Sequence, residues 1–308
     1  MIPLRFLIVG LGVQGKKRKK IITQNNVITV DPFNSDADYK NIYEVPLNTY
    51  DAALLCIPDE PKVELATFLL QNKKHVLIEK PLFSKNINDL ISLKKLAEKQ
   101  KTACYTAYNH RFEPHFKSIY NKLKSNEIGK VYTVRLFYGN GTSLLVKNSE
   151  WRDAGLGVLP DLGSHLLDTI NYWFKPQSFK VNIQSGNSFE NQSLDHVILN
   201  GTSQNKVNFN IELTLLSWRN SFYADIIGEN GSLHIESLCK WGPSRLISRK
   251  RIFPSGRPIE TSIELIQEDP TWEREFQHFI SMCLKGENNL QNDIWVCNQL
   301  NKIGQKVN

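Results

Sequence analysis

The sequence predicts an α/β protein, with a doubly wound parallel sheet first and a domain built on an open, largely antiparallel sheet after it. Up to about residue 110, short apolar runs alternate with helix patterns, as in parallel strands that are buried on both faces and joined by crossover helices. Farther along, strand patterns follow one another across tight turns such as Gly228–Gly231, which indicates antiparallel pairing. A length of 308 residues allows about two domains.

In the first domain, strand patterns alternate with helix patterns, and the last helix pattern has Leu90, Leu93, Leu96 and Ala97 on one side. Strands are predicted at Leu4–Gly10, Val27–Val30, Asp51–Ile57, His75–Ile78 and Thr102–Tyr108. Helices are predicted at Val13–Gln24, Pro61–Lys74 and Asn86–Gln100. The segment between Asp31 and Asp51 is short for a helix and its connections, so we expect a loop or a single turn there.

The second domain opens and closes with helices and has strands between them. Helices are predicted at Glu113–Asn126, Pro160–Phe174, Trp272–Leu284 and Asn292–Ile303. Strands are predicted at Val131–Tyr138, Phe179–Gln184, His196–Thr202, Val207–Leu216, Ser221–Gly228 and Ser232–Glu236. The sequence contains neither an internal repeat nor a low-complexity linker, so we place the boundary in a tight connection, with 1–115 as the first domain and 116–308 as the second.

Composition and charge favour an ordinary globular protein with an anionic small-molecule ligand. Hydrophobic residues make up 41% and charged residues 22% of the chain, and the net charge is +7. A modest positive charge suits nucleotides, and the absence of a nucleic-acid-binding motif argues against DNA or RNA as a partner. No apolar run reaches the roughly 18 residues of a membrane span. The apolar N-terminus precedes its basic cluster, unlike a signal peptide, so we expect a cytoplasmic protein.

The cysteines predict neither a disulfide framework nor a metal site. There are five of them, an odd number, and they are scattered without a C-x-x-C pair. Cys56 and Cys104 fall in apolar strand-like runs, where a small buried thiol is the expected role. No cluster of residues has the spacing of metal ligands, so the site is expected to contain no metal.

A glycine pattern between the first strand and first helix predicts a dinucleotide site, with the residues Gly10-Leu11-Gly12-Val13-Gln14-Gly15. In G-x-G-x-x-G the first glycine makes the turn, the second lets a pyrophosphate approach, and the third lets the helix pack on the strand. Asp31 follows Gly12 by about 20 residues and ends the next strand, where a carboxylate accepts the ribose hydroxyls and repels a 2′-phosphate. We therefore expect NAD, with NADP as the alternative cofactor and a purely structural turn as the alternative role.

A basic run, Lys16–Lys20, follows the glycines. Its ordinary role is a solvated helix face. The alternative is that Lys16 or Lys17 adds to the positive field over a pyrophosphate, since like charges near a helix N-terminus oppose the helix dipole and call for a compensating anion.

Two further groups of polar residues carry candidate chemistry. Lys80, in Glu79-Lys80-Pro81, follows a parallel strand at the edge where such sheets bind ligands; its alternative is an exposed surface lysine. On the helix predicted from Pro160, Asp161 and His165 are i, i+4 neighbours. A carboxylate beside an imidazole suits a general base, and the alternative is a structural pair on an amphipathic helix.

Taken in order, these motifs resemble the Gfo/Idh/MocA family of glucose–fructose oxidoreductase and inositol dehydrogenase. The motifs are G-x-G-x-x-G, Glu79-Lys80-Pro81, Tyr108-Asn109-His110-Arg111-Phe112, and Trp151-Arg152 with a glycine-rich approach to Asp161-x-x-x-His165. The resemblance covers essentially the whole chain. It implies an N-terminal Rossmann domain that binds the dinucleotide, and a C-terminal α/β domain that binds substrate. The open, largely antiparallel sheet of the second domain is implied to mediate homodimer or homotetramer contacts.

The resemblance also implies residue roles for a hydride transfer between a nicotinamide and a sugar carbon. Lys80 would stabilise the reacting oxygen, His165 would accept the proton, and Asp161 would position substrate or base. The predicted cofactor-binding residues are Gly10, Gly12, Val13, Gln14, Gly15, Asp31, Ile57, Pro58, Glu79, Lys80, Pro81 and Asn109. The predicted substrate-binding residues are Lys80, Arg111, Arg152, Asp161 and His165. The sequence departs from the family in the short segment after Asp31 and in Gly155-Leu156-Gly157, where a triple glycine is common.

The substrate is expected to be a hydroxylated ring that carries negative charge, with a nucleotide sugar first. Arg111 and Arg152 lie in segments that the resemblance places near the active-site mouth, and a guanidinium suits phosphate or carboxylate. The counter-hypothesis is that Arg152 pairs with Asp153 or Asp161. A free sugar or inositol, a tetrapyrrole substrate as in biliverdin reductase, and a non-catalytic NAD or sugar sensor on the same scaffold are the alternatives.

Overall fold

The structure is a computed structural model that describes residues 4–22 and 27–306. Its contacts divide the chain into two compact units. One contains the residues up to Tyr108 together with Trp272–Asn298, and the other contains Asn109–Thr271 and the residues from Gln299 onward. This division differs from the expected boundary after residue 115, because the chain returns to the first unit at residue 272. The rings of Phe6 and Phe276, for example, lie 5.2 Å apart, a long-range contact that local periodicity does not report.

The first unit contains a five-stranded parallel sheet with crossover helices. Its strands are β1 (Phe6–Val9), β2 (Ile28–Val30), β3 (Ala52–Leu55), β4 (His75–Glu79) and β5 (Cys104–Ala107), and its helices are α1 (Val13–Ile21), α2 (Lys62–Gln71) and α3 (Ile87–Gln100). The strand order is β2-β1-β3-β4-β5 and every neighbouring pair is parallel, as the sequence predicts. The predicted end of the first helix, at residues 23 and 24, lies outside the described residues.

The core of this sheet explains why its strands are short apolar runs. All residues of β1, β3 and β5 are buried, because helices and loops pack on both faces of a parallel sheet. Two single 3₁₀ turns, Ile42–Glu44 and Leu47–Thr49, lie between β2 and β3. The segment therefore holds only short turns, in agreement with the expectation from its length.

The second unit contains a mixed, mostly antiparallel sheet of eight strands with helices. Its helices are α4 (Pro114–Lys124), α5 (Ser143–Lys147), α6 (Glu150–Asp153) and α7 (Ser164–Phe174). Its strands are β6 (Val131–Gly139), β7 (Phe179–Asn187), β8 (His196–Ser203), β9 (Asn208–Thr214), β10 (Ser221–Gly228), β11 (Gly231–Glu236), β12 (Ser244–Ile252) and β13 (Gly256–Leu265). The order is β13-β12-β11-β10-β6-β9-β8-β7. The pair β6–β9 is parallel and the other pairs are antiparallel.

The hairpin β12–β13 is the part of this sheet that the sequence analysis did not predict. The sequence of β13 does alternate, with Ile259, Ile263 and Leu265 separated by polar residues. Every residue of this edge strand except Leu265 is nevertheless exposed. The last helices, α8 (Thr271–Lys285) and α9 (Leu290–Gly304), are close to their predicted positions. Within the described ranges, no helix is long and apolar enough to cross a membrane.

Candidate active site

The glycine turn of the first unit has the geometry of a nucleotide-binding loop. Gly10 has a φ of 92°, and a Cβ there would overlap the carbonyl oxygen of Cys56. A Cβ on Gly15 would overlap the carbonyl oxygen of Gly10, so the helix can approach the strand only with glycine at this position. A Cβ on Gly12 would meet no atom within 4 Å. The first and third glycines are thus required by packing, and the second faces open space.

The N-terminus of α1 starts at this turn. Gly12 is its N-cap and no side chain caps it, and Val13 and Gln14 are exposed. Uncapped amides at a helix N-terminus carry a partial positive charge and can bind phosphate oxygens. The first turn also lacks acidic residues, which would repel such a group. These features fit the pyrophosphate of a dinucleotide.

Asp31 follows β2, and hydrogen bonds from the glycine turn and from its own loop hold its carboxylate. Leu11 N–H donates to Oδ2 at 2.7 Å, and the N–H groups of Phe33 and Asn34 donate to Oδ1 at 2.9 Å. Burial raises the pKa of Asp31, but these three backbone bonds outweigh it and hold the pKa below its ordinary value. The group is therefore an anion fixed beside the turn, as a ribose-binding carboxylate requires.

Ile57 and Pro58, the other residues predicted to bind cofactor in this unit, follow β3. Ile57 Cγ2 would lie 3.1 Å from a Cβ on Gly10, so its side chain packs next to the glycine turn. Pro58 is exposed. The carboxyl ends of β1, β2 and β3 thus bring Gly10, Asp31 and Ile57 to the same edge of the sheet, which is where open α/β sheets bind nucleotides.

The segment Glu79-Lys80-Pro81 ends β4 and is surrounded by charged groups. Arg18 Nε donates to Glu79 Oε1 at 2.7 Å, and Lys62 Nζ donates to the carbonyl oxygen of Pro81 at 2.8 Å. Lys80 is partly exposed. Arg18 is wholly buried whereas its four lysine neighbours in the basic run are exposed, so the solvated-face interpretation is wrong for this one residue.

His165 and Asp161, in the second unit, are not on one continuous α-helix as the sequence predicts. A π-helical turn spans Leu159–Gly163, and α7 begins only at Ser164. A π turn has i→i+5 hydrogen bonds and shifts the helical register, so the i, i+4 argument does not apply to this pair. His165 is 6% exposed. Gly157, which precedes the turn, has a φ of 58° and contacts the backbone of Leu194, which requires glycine there.

The two arginines predicted to bind substrate each contact a carboxylate of their own unit. Arg152 Nη2 donates to Asp161 Oδ2 at 3.0 Å, with both side chains more than a quarter exposed. Arg111 donates through Nε and Nη2 to both oxygens of Asp168, at 2.6 to 3.1 Å, and Asp168 is 1% exposed. The pairing of Arg152 with Asp161 is one that the sequence analysis had kept open. Asp153 instead accepts backbone N–H bonds from Gln192 and Ser193.

His110 is a residue of this region to which the sequence analysis gave no role. Its ring stacks on that of His165, with centroids 4.0 Å apart and planes 17° apart. Lys240 Nζ lies 3.0 Å from His110 Nε2. His110 belongs to the segment Tyr108–Phe112, which is one of the motifs of the family resemblance. Its place in that motif was the sequence signal that could have indicated a role in the site. Lys240 lies between predicted elements, where no local pattern marks it.

Asn109, predicted to contact the cofactor, belongs to the second unit. It is 8% exposed, and its Nδ2 donates to Thr271 Oγ1 at 3.0 Å. Its neighbour Glu113 is buried and accepts hydrogen bonds from the N–H and Sγ of Cys239. Burial raises the pKa of Glu113 although the Cys239 bonds oppose this shift. In the described parts of the chain, no three His, Cys, Asp or Glu residues are grouped so that they could hold a metal ion.

Family models match both parts of the chain. Residues 5–108 match the model described as "Oxidoreductase family, NAD-binding Rossmann fold", and residues 116–234 match the model of the GFO/IDH/MocA C-terminal domain. Glucose-6-phosphate 3-dehydrogenase of Bacillus subtilis (strain 168) is 25% identical over 203 residues, which cover 62% of this chain and 57% of that protein. The matched stretches of four curated relatives span 25% to 57% of their lengths.

Solved structures share the fold over nearly the whole chain. Levoglucosan dehydrogenase in complex with NADH and L-sorbose has a TM-score of 0.84 at 15% identity, covering 99% of this chain and 97% of that one. The WlbA dehydrogenase from Bordetella pertussis, in complex with NADH and UDP-GlcNAcA, has a TM-score of 0.77 at 16% identity, covering 98% and 96%. At these identities the similarity establishes the fold.

Proposed function

Because this chain belongs to the Gfo/Idh/MocA oxidoreductase family and its first unit is the family's NAD-binding Rossmann fold, we propose that it is an NAD-dependent dehydrogenase acting on a CH–OH group of a sugar. The observation that carries the proposal is the glycine turn at Gly12. This turn has open space beside Gly12 and leads into the uncapped N-terminus of α1. The N–H of Leu11, in the same turn, donates a hydrogen bond to the Asp31 carboxylate. Asp31 favours NAD because a 2′-phosphate beside it would be repelled, and NADP remains the second cofactor.

NAD, when bound, supplies the hydride acceptor. The amides at Gly12, Val13 and Gln14 hold its pyrophosphate, and Asp31 holds the adenosine ribose. Ile57, Pro58, Glu79, Pro81 and Asn109 complete the proposed cofactor contacts. Each of these roles follows from the family motif, and the glycine turn and the fixed Asp31 carboxylate support the first two directly.

The substrate chemistry is assigned to three side chains. Lys80 donates a hydrogen bond to the substrate oxygen and stabilises the negative charge that develops there. His165 accepts the hydroxyl proton through its imidazole as the C–H bond breaks. Asp161 orients the substrate or the base. The ring of His110, stacked on the His165 ring with centroids 4.0 Å apart, supports a fixed proton acceptor.

We assign the substrate to the anionic sugars, either a sugar phosphate or a nucleotide sugar. Three observations support this class. The net charge of the chain is +7. Arg152 remains 28% exposed in its pair with Asp161. Among the similar proteins, glucose-6-phosphate 3-dehydrogenase is named for a sugar phosphate, and the WlbA dehydrogenase structure holds UDP-GlcNAcA. An exposed guanidinium can exchange a carboxylate partner for a phosphate at low cost, since exposed ion pairs contribute little.

A neutral sugar or inositol is the second candidate, and the ion pairs favour it. Arg111 uses its fork on the buried Asp168, and Arg152 contacts Asp161, so both guanidinium groups already have carboxylate partners. The levoglucosan dehydrogenase structure, which holds L-sorbose, belongs to the same fold.

An oxidation assay with NAD on matched sugars, each with and without a phosphate or nucleoside diphosphate, tests these assignments at two ionic strengths. An anionic substrate should show a kcat/KM that falls as salt rises, because steering is screened. Equal or higher activity on the neutral sugar, without salt dependence, would move the assignment to a free-polyol dehydrogenase. Absence of turnover with every sugar, combined with NAD binding, would favour a non-catalytic sensor.

We further propose that the second unit binds the substrate and forms a homodimer or homotetramer through its sheet. The solvent side of the sheet presents Tyr223, 51% exposed, beside the ring of Phe137 at 5.8 Å. Light scattering of wild type and Tyr223→Asp tests this interface, and an unchanged mass would contradict it.

The five cysteines are free thiols, as in the reducing cytoplasm, where we expect the protein to act.

A further inference from the structure

A buried arginine connects three elements of the first unit at the segment that carries Lys80. Arg18 lies on α1 and is 0% exposed. Its Nε donates to Glu79 Oε1 and its Nη2 donates to Glu275 Oε2, both at 2.7 Å. The ring of Trp272 covers the guanidinium at 4.4 Å. Arg18 therefore holds the residue before Lys80 against α1 and α8.

A buried lysine holds the residue after Lys80. Lys62, at the start of α2, is 2% exposed, and its Nζ donates to the carbonyl oxygen of Pro81 at 2.8 Å and to Asp59 Oδ1 at 2.7 Å. Burial lowers the pKa of the Lys62 amine, and the cation of Lys80 lowers it further. The carboxylates of Asp59 and Glu79 oppose this shift. Lys62 thus lies close enough to the cation of Lys80 for the two to interact electrostatically.

A buried cation next to a backbone segment is costly unless it fulfils a specific contact. Here each buried cation has such a contact with a residue that flanks Lys80. Arg18 contacts Glu79, and Lys62 contacts Pro81. Fixing both ends of a tripeptide removes the backbone freedom that would let the central amine move, and positioning errors of about 1 Å can lower a rate by about 100-fold.

We propose that Arg18 and Lys62 are positioning residues that clamp the Glu79–Pro81 segment and thereby fix the amine of Lys80. The catalytic part of this proposal rests on the proposed dehydrogenase function. The structural part, that these two side chains restrain the segment, stands without it.

Lys62→Met is the main test, because methionine keeps the hydrophobic stem and Asp59, being 29% exposed, can be solvated. Lys95→Met, at an exposed position on α3, is the matched control. Hydrogen exchange, read by mass spectrometry on the peptide that covers residues 75–84, reports the restraint directly. We expect this peptide to exchange faster in Lys62→Met than in wild type or Lys95→Met. The kcat of Lys62→Met should be lower by about tenfold or more, and its Kd for NAD should stay within about twofold of wild type.

Arg18 needs a paired substitution, since Arg18→Met alone would leave Glu275 buried without its guanidinium and could prevent folding. Arg18→Met with Glu275→Met removes both buried charges and leaves Glu79, which is 12% exposed, without its clamp. This double variant should show the same faster exchange and lower kcat as Lys62→Met. Arg18→Lys, which keeps one charge but loses the fork, should fall between the double variant and wild type.

Unchanged exchange at residues 75–84 in both Lys62→Met and the double variant would overturn the clamp. Faster exchange with unchanged kcat would overturn its role in positioning Lys80. If wild type oxidised no sugar, the proposed function would fail, and the exchange measurements would still decide whether the clamp exists. Melting temperatures of all variants, taken in parallel, ensure that each rate is measured on folded protein.

Discussion

The imidazole rings of His110 and His165 stack face to face, with their centroids 4.0 Å apart. Lys240 Nζ is 3.0 Å from Nε2 of His110. An ammonium group can only donate, so Nε2 of His110 accepts in this contact. The stacked His110 ring gives His165 a flat support.

We expect His110→Ala to lower kcat by about tenfold, because the His165 ring loses the surface that orients it. His110→Phe keeps a flat ring at the same position and should recover most of the rate. Steady-state kinetics with an identified sugar measures both. Equal losses in the alanine and phenylalanine variants would show that the stacked ring is not what supports His165.

Asp31 should determine the choice of cofactor. Wild type should bind NAD more tightly than NADP by about tenfold or more, and Asp31→Asn should reduce that preference by a similar factor, because it removes the charge that repels a 2′-phosphate. Fluorescence titration with both cofactors gives the two Kd values. Asp36→Asn, in the exposed part of the same loop, is the control. Tighter binding of NADP by wild type would contradict the assignment and direct attention to the exposed lysines of the basic run.

Lys80→Ala should lower kcat by about 100-fold or more while the Kd for NAD changes little, since the amine acts mainly on the developing oxyanion. His165→Ala should lower kcat by about 10² to 10⁴-fold through loss of the proton acceptor. Lys85→Ala, at an exposed position a few residues later, should retain wild-type rates. Normal turnover in both site variants would show that the roles implied by the family motif do not apply to this chain.

Glu275 should make the stability of the first unit depend on pH. Burial raises its pKa to about 7, although Arg18 opposes the shift. The folded carboxyl therefore binds a proton more tightly than the unfolded one, and this contribution to stability is complete below the unfolded value and is lost as pH rises toward 7. Urea unfolding between pH 4.5 and 7.5 should show a steeper loss in wild type than in Glu275→Gln. Parallel slopes for the two proteins would contradict the raised pKa.

The pair of Arg111 and Asp168 should contribute to the stability of the second unit. Arg111→Met removes the guanidinium from a carboxylate that is 1% exposed, and loss of one partner of a buried pair costs about 3 to 5 kcal/mol. Lys122→Met, which breaks the more exposed pair of Lys122 and Glu127, should change stability by less than about 1 kcal/mol. Urea unfolding monitored by tryptophan fluorescence compares them. A loss of similar size in both variants would show that burial of Asp168 does not set the energy.

The elements that could be predicted from the sequence are those whose signals are local. Glycine spacing after a buried strand predicted the turn at Gly10–Gly15, and the apolar runs predicted all five strands of the parallel sheet. These predictions succeed because a strand buried on both faces must be apolar along its length, and because the turn tolerates only glycine at Gly10 and Gly15.

Which charged side chains are buried, and which partners they contact, depends on the folded structure and could not be predicted from the sequence. Arg18 lies within a run of lysines, and nothing in that run distinguishes it from its exposed neighbours. Its guanidinium is paired with Glu275, which is distant in sequence and belongs to the first unit because α8 packs there. The π turn before α7 and the stacking of His110 on His165 also depend on long-range packing. Local periodicity reports which face of an element is apolar, whereas an ion pair requires two segments to be brought together, and that pairing is a property of the fold.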